Sequence, residues 1–259
     1  MRRNQGCSQS VYQHGFTSLK RLTLFYAIAR AYTISVKIKS LRLWTNQLAE
    51  LDAFYRETLG LVVALRPGKL DVNAGHTRIT FREAPVGWRS VYHFAFNIPE
   101  NQFAEAKAWL AQRVPLIRDK NGADEFDFLD WNSHACYYYD PAGNILELIA
   151  RHTLDCASVQ LFSPRSLLGI SEIGIVADDV RETAHQLGQK YGLGIYDGAG
   201  SDSFTAVGDP SGLFIVVKRG REWYPDTGAI AASSAFSIAF EVNGTLHTWE
   251  VNDGIAGRT

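Results

Sequence analysis

The sequence predicts an α+β fold built from repeated units of one strand, one helix and about three further strands. Three observations predict it. A strand, a tight Asp-Pro-x-Gly turn and a second strand occur at 137–148 and again, in altered form, at 204–217. A short apolar strand heading recurs at 38–44, 92–98, 170–176 and 236–242. Behind the first three headings, apolar residues fall at three- and four-residue spacing, the mark of a helix with one face on a sheet. Internal repeats of this kind constrain architecture more than any propensity scale does.

Taken in order, residues 1–35 stand apart. They carry Arg2, Arg3, Lys20, Arg21 and Arg30 with no acid, and their apolar stretch is interrupted by Arg30 and too short to span a bilayer. The competing readings are an organelle-type targeting segment, a disordered basic arm, or sequence upstream of a true start at Val36; the last two are favoured. The first heading leads into a helix over 48–59, with Leu48, Leu51, Phe54, Tyr55 and Leu59 on one face and Gly60 at its end. The second leads into a helix through Phe103, Ala106, Trp109 and Leu110. The third leads into a helix over 180–191 capped by Gly192. Short β-type runs at 78–81 and 134–139 fill the intervals, and the fourth heading has too little chain behind it to complete a unit. One helix per strand-rich unit covers one sheet face and leaves the other free to curl into a cup.

Composition narrows function. The chain has 26 basic and 27 acidic side chains, which removes any global charge bias toward nucleic acid or anionic membrane and makes a small-molecule ligand the expected partner. Cys7, Cys136 and Cys156 form no CxxC pair, so neither a disulfide framework nor a thiolate zinc site is indicated, and a cytoplasmic location fits. Cys136, between Ala135 and Tyr137 in a strand, reads as a small buried apolar residue. There is no phosphate-binding glycine loop opening a helix, no GxSxG elbow and no HExxH helix.

The chemistry begins with Glu147, an acid among Ile145, Leu146, Leu148 and Ile149, which costs desolvation unless a partner pairs with it. Alternation along strands sends Ser40, Arg42 and Trp44 to the cup side of the first heading, His93, Ala95 and Asn97 to that of the second, and Ile145, Glu147 and Ile149 to that of the strand after the turn. Ser40, Arg42, His93 and Glu147 are therefore expected to converge, with Tyr137 across the turn from Glu147. An Arg42–Glu147 ion pair is the competing structural role. Such a guanidinium would repel a divalent cation and favour an anionic ligand. Trp44 and Tyr137 suit either stacking on a planar ligand or simple wall packing.

The residues LDAFYRETLGL at 51–61 and DPAGNILEL at 140–148, with weaker echoes at 178–193 and 209–217, resemble the vicinal oxygen chelate superfamily, which includes glyoxalase I, extradiol dioxygenases and the fosfomycin and bleomycin resistance proteins. The resemblance implies paired βαβββ units around a central pocket: a first complete module at 36–152, a linker at 153–169 and an incomplete second module at 170–259. It implies a divalent metal (Fe, Mn, Ni or Zn) held by His93 and Glu147, with Ser40 standing where the family often has His. His134 can serve as a third ligand only if local register turns it into the cup. Glu147 and Tyr137 are then the catalytic candidates, and Ser40, Arg42, Trp44, Asn97 and Tyr137 the substrate-binding ones. In the second module Glu172, Val216 and Ser237 occupy the corresponding places, which reads as packing or dimerisation rather than a second metal site. The implied function is a metal-dependent lyase, isomerase or ring-cleavage dioxygenase on a small oxygenated substrate. The alternative is a metal-free protein that sequesters a small anionic or aromatic compound. The truncated fourth unit leaves sheet edge that a second copy could cover, making a homodimer.

Overall fold

Alternating apolar residues and turn chemistry produce β1 (Val36–Thr45), α1 (Leu48–Ala53), β2 (Val62–Arg66), β3 (Lys69–Ala74), β4 (Thr77–Glu83), β5 (His93–Ile98), α2 (Phe103–Ala111), β6 (Phe126–Phe128), β7 (Ser133–Tyr139), β8 (Ile145–Arg151), β9 (Gly169–Ala177), α3 (Val180–Tyr191), β10 (Phe204–Asp209), β11 (Gly212–Lys218), β12 (Phe236–Val242) and β13 (Thr245–Val251). The structure, a computed structural model, describes residues 34–198 and 200–251. The basic extension at 1–35, apart from its last two residues, and Cys7 lie outside the described residues. The class is α+β, as the repeats predict. α3 starts where Asp179 accepts the Glu182 N–H and stops at Gly192, whose φ of +71° suits a residue without a side chain.

The repeats pair in an order that the resemblance did not imply. The first sheet runs β13-β12-β1-β4-β3-β2 and the second β10-β11-β9-β5-β8-β7-β6. The first heading, β1, thus lies antiparallel to the fourth, β12, and the second, β5, antiparallel to the third, β9. Each sheet is therefore made of two units, but the outer pair and the inner pair. A module at 36–152 followed by another at 170–259 does not describe this arrangement, because the first and second headings sit in different sheets.

Buried hydrogen bonds hold the two sheets together. Thr77 Oγ1 donates to the Ile38 carbonyl (2.7 Å) and accepts the Ile170 N–H (2.9 Å). Tyr92 Oη donates to the Ala235 carbonyl at 2.7 Å. Tyr55 Oη, behind α1, donates to Asp140 at 3.1 Å in the Asp-Pro-Ala-Gly turn of the second sheet. Asp140 also accepts the Ala142 and Asn144 N–H groups and the Asn144 side-chain amide, at 2.9, 3.0 and 2.8 Å. Asn144 Oδ1 in turn accepts the Tyr92 N–H at 3.0 Å, tying the turn to the start of β5.

Burial pushes the Asp140 carboxyl up from 3.8 to about 6 despite these donors. The native state then binds more protons than the unfolded chain across that window, so its stability falls as pH rises through it. Asp140→Asn should flatten this part of the profile, a difference on the order of 3 kcal/mol in urea titrations at successive pH values. A slope that survives the substitution would contradict the assignment. Tyr55→Phe should cost about 1–2 kcal/mol by the same measurement, through the lost donor to a buried carboxylate.

Candidate metal centre

Strand register builds the site on the second sheet. Ala95 of β5 lies opposite Glu147 of β8 on one side and opposite Glu172 of β9 on the other, while Tyr137 of β7 lies opposite Glu147. Directly opposed residues share a sheet face, so Tyr137, Glu147, Ala95 and Glu172 form one row, with His93 on the same face two residues before Ala95. The two glutamates stand two strand spacings apart, roughly 9–10 Å at the backbone. The small Ala95 between them leaves room for their carboxylates to approach. On β9 the register shifts so that Glu172 opposes Ala95 and Ile170 opposes Phe96, which leaves Ser171 as an extra residue beside the glutamate. A bulge at that point is a common means of re-aiming a side chain.

His93, Glu147 and Glu172 are all buried, and one ligand atom from each lies within 4.8 Å of the others. His93 Nδ1 is 3.1 Å from the Ile145 carbonyl, which only a protonated Nδ1 can satisfy. Nε2 on the other side of the ring faces Glu147 Oε2 and Glu172 Oε2, each at 3.7 Å. One imidazole nitrogen and two carboxylate oxygens facing one another are the donor set of a cation site. The carbonyl on the far ring nitrogen is the usual device that orients a ligating imidazole. The residues present therefore fit a divalent metal ion.

The surrounding groups set the electrostatics. Glu172 gives its other oxygen to the fully buried Arg151, through Oε1 and Nη2. The Arg151 guanidinium lies 5.4 Å from the Trp131 ring and 6.0 Å from that of Tyr196. Burial, reinforced by Glu172, raises the Glu147 carboxyl well above the usual range, while Arg151 and a hydrogen bond from Tyr137 act against that rise. Burial and then Glu147 raise Tyr137 well above the ordinary tyrosine value, so its hydroxyl keeps its proton.

These groups open into a cavity of about 300 Å³ walled by Phe128, Trp131, Phe204, Ile215, Trp223 and Tyr224. Trp223 packs 5.4 Å from His93 between ring centroids. It fits because position 174 is glycine: a Cβ there would stand 2.6 Å from Trp223 Cη2 and 3.2 Å from His93 Cβ.

Strand parity brought His93, Tyr137 and Glu147 together as expected, but it misplaced their neighbours. Ser40 and Arg42 line a separate open groove of about 500 Å³ on the first sheet, with Lys69, Arg78 and Thr80. Trp44 borders another cleft of about 570 Å³. None of the three lines the His93 cavity, and Arg42 is not the partner of Glu147. Asn97 donates to the Pro210 carbonyl at 3.0 Å, anchoring a turn rather than lining the cavity. His134 alternates to the helix side of β7, where its ring lies 5.5 Å from Phe103 and its Nδ1 2.9 Å from His152 Nε2. The third donor is Glu172, in the unit read as packing. The charge of Glu172 within apolar β9 matches that of Glu147 within β8, and Arg151 lies four residues beyond Glu147 on the same face. Both signals were present in the sequence.

No protein-family model matches the chain, and no curated protein matches it in sequence. Among solved structures, a Bacillus subtilis protein described as a candidate dioxygenase aligns over 84% of this chain and 71% of its own, with a TM-score of 0.53 and 19% identity. Weaker likenesses are a single-substitution variant of glyoxalase I from Zea mays, over 71% of this chain and 68% of its own (TM-score 0.45, 14% identity), and lactoylglutathione lyase from Agrobacterium tumefaciens, over 43% and 90% (TM-score 0.35, 23% identity). The likeness to the Bacillus subtilis structure is one of fold.

Gly174→Ala should displace the Trp223 indole, shift its fluorescence emission and lower stability by about 1–3 kcal/mol, as overpacking does. Emission unchanged against a Trp223→Phe control would show that the glycine makes no room for the ring.

Proposed function

We propose that this protein, on its vicinal oxygen chelate fold, is a metal-dependent enzyme that binds a small oxygenated substrate in the aromatic cavity of the second sheet. The observation that carries the reading is the His93 ring, whose Nδ1 is anchored on the Ile145 carbonyl while Nε2 faces two buried carboxylate oxygens at 3.7 Å. His93, Glu147 and Glu172 would hold the ion. One imidazole with two carboxylates suits Mn(II) or Fe(II), with Ni and Zn as further members of the candidate set. Bound there, a divalent ion polarises substrate oxygens, the chemistry shared by lyase, isomerase and ring-cleavage reactions. The description of the Bacillus subtilis neighbour as a dioxygenase favours oxygenase chemistry among these.

The chain's own residues supply the remainder. Arg151 fixes Glu172 through one oxygen and leaves the other for the centre. Tyr137 keeps its proton against Glu147 and lines the cavity, where it can donate to a substrate oxygen that becomes negative. Phe128, Trp131 and Tyr224 exclude water and offer flat faces to a planar molecule. A second reading, a metal-free binding protein, draws on the Arg151–Glu172 pair, which already compensates one of the two carboxylates.

Elemental analysis of protein purified without chelator or affinity tag separates the two. The enzyme reading expects about one divalent ion per chain and its loss in His93→Ala and in Glu172→Gln. Retention of the ion in both variants would move the metal elsewhere. No ion in the wild type, even after dialysis against Mn(II) or Fe(II), would leave the binding protein. Ala95→Leu should lower metal occupancy while preserving the fold by circular dichroism, because the longer side chain occupies the space between the two carboxylates.

A further inference from the structure

The polar inventory of the cavity is lopsided once Glu147 and Glu172 are assigned to the metal centre. What remains are donors. Trp223 is 5% exposed and its indole Nε1 has no hydrogen-bond partner. An unpaired buried N–H of this kind costs about 1–3 kcal/mol. Arg221 lines the same cavity, half-buried, with its guanidinium 5.2 Å from the Phe204 ring.

Among the described residues no carboxylate lies within salt-bridge distance of Arg221 and no side chain accepts from it. Its neighbours behave differently. Arg219, two residues earlier, pairs with Asp178 at 2.7 Å, Arg181 pairs with Asp202, and Arg151 at the metal centre pairs with Glu172. Burial pushes the pKa of the Arg221 guanidinium down. A partly desolvated cation therefore faces the cavity without a counter-ion.

The backbone around both donors is held in place. Arg221 N–H donates to Lys218 O at 3.1 Å, Ala231 N–H donates to Arg221 O at 2.7 Å, and Trp223 N–H donates to Ala229 O at 2.9 Å. Thr227 Oγ1 closes the loop on the Trp223 carbonyl at 2.8 Å. The two donors are thus presented from a strapped loop rather than a free one.

We propose that the substrate of this site is a small planar anion, a ring or conjugated molecule bearing a carboxylate that Arg221 binds. A carboxylate presents only acceptors, and its two oxygens match a guanidinium fork. The aromatic walls account for planarity, and a volume near 300 Å³ sits at the small end of ligand cavities, which run about 300–1,000 Å³. The inference rests on the proposed function only in taking this cavity as the substrate site.

The test uses salicylate and salicylamide, which share a ring and an adjacent hydroxyl and differ in charge. Their affinities are read by calorimetry on the full chain after chelator treatment and again after Mn(II) loading. The expected result is salicylate bound at least tenfold more tightly than salicylamide in both states. In Arg221→Gln that preference should fall to about twofold or less with salicylamide affinity unchanged, while Arg221→Lys retains part of it. Equal binding of the pair by the wild type, a preference that survives Arg221→Gln in folded protein, or no binding of either compound at millimolar concentration overturns the proposal. Because the chelated protein is measured separately, a failed metal centre with an intact Arg221-dependent preference is distinguishable from the converse.

Discussion

Two carboxylates buried on one sheet face, with a single alanine between them, are the constraint around which the second sheet is organised. Moving a carboxylate out of water costs several kcal/mol unless charge or hydrogen bonds compensate it, and here the cost arises twice within one row of residues. Arg151 compensates one oxygen of Glu172, and the Tyr137 hydroxyl compensates Glu147. His93 Nε2 faces the same space. A divalent cation would complete this set.

Small residues make the room. Ala95 separates Glu147 from Glu172 where a larger side chain would stand between them, and Gly174 lets Trp223 pack over His93. Both lie on strands that also carry bulky apolar residues such as Phe94, Phe96, Ile173 and Ile175. Ala135, Ile149, Leu213 and Ile215 pack into the rest of that face. The cup of the first sheet took a different course. Its open face carries Ser40, Arg42, Lys69 and Arg78, polar and basic side chains around a shallow groove, with no cluster of ligand atoms among the described residues.

Much of this was readable from residue order. The alternation of His93 with Phe94 and Phe96, and of Glu147 with Leu146 and Leu148, placed the two site residues on the cup face because side-chain direction reverses at each strand residue. The Asp-Pro-Ala-Gly turn fixed Tyr137 opposite Glu147, since a tight hairpin leaves little freedom of register. The helix over Val180–Tyr191 was bounded by its own cap residues, Asp179 and Gly192. The register that would have turned His134 into the cup is not the one adopted, and its neighbour Ala135 faces the cup instead.

What residue order left open was which headings would lie side by side. Four headings of similar apolar pattern can be joined in pairs in three ways, and each pairing satisfies the local alternation equally well. The choice of β1 with β12 and β5 with β9 depends on long-range contacts made over large sequence separations, among them the Thr77 bonds to Ile38 and Ile170. Local chemistry therefore established the fold class, the cup face and the roles open to His93, Glu147 and Tyr137. The packing of distant strands alone brought Glu172 to them and sent Ser40 and Arg42 elsewhere, because strand partnership is selected by the burial of whole sheet faces, a quantity no short segment contains.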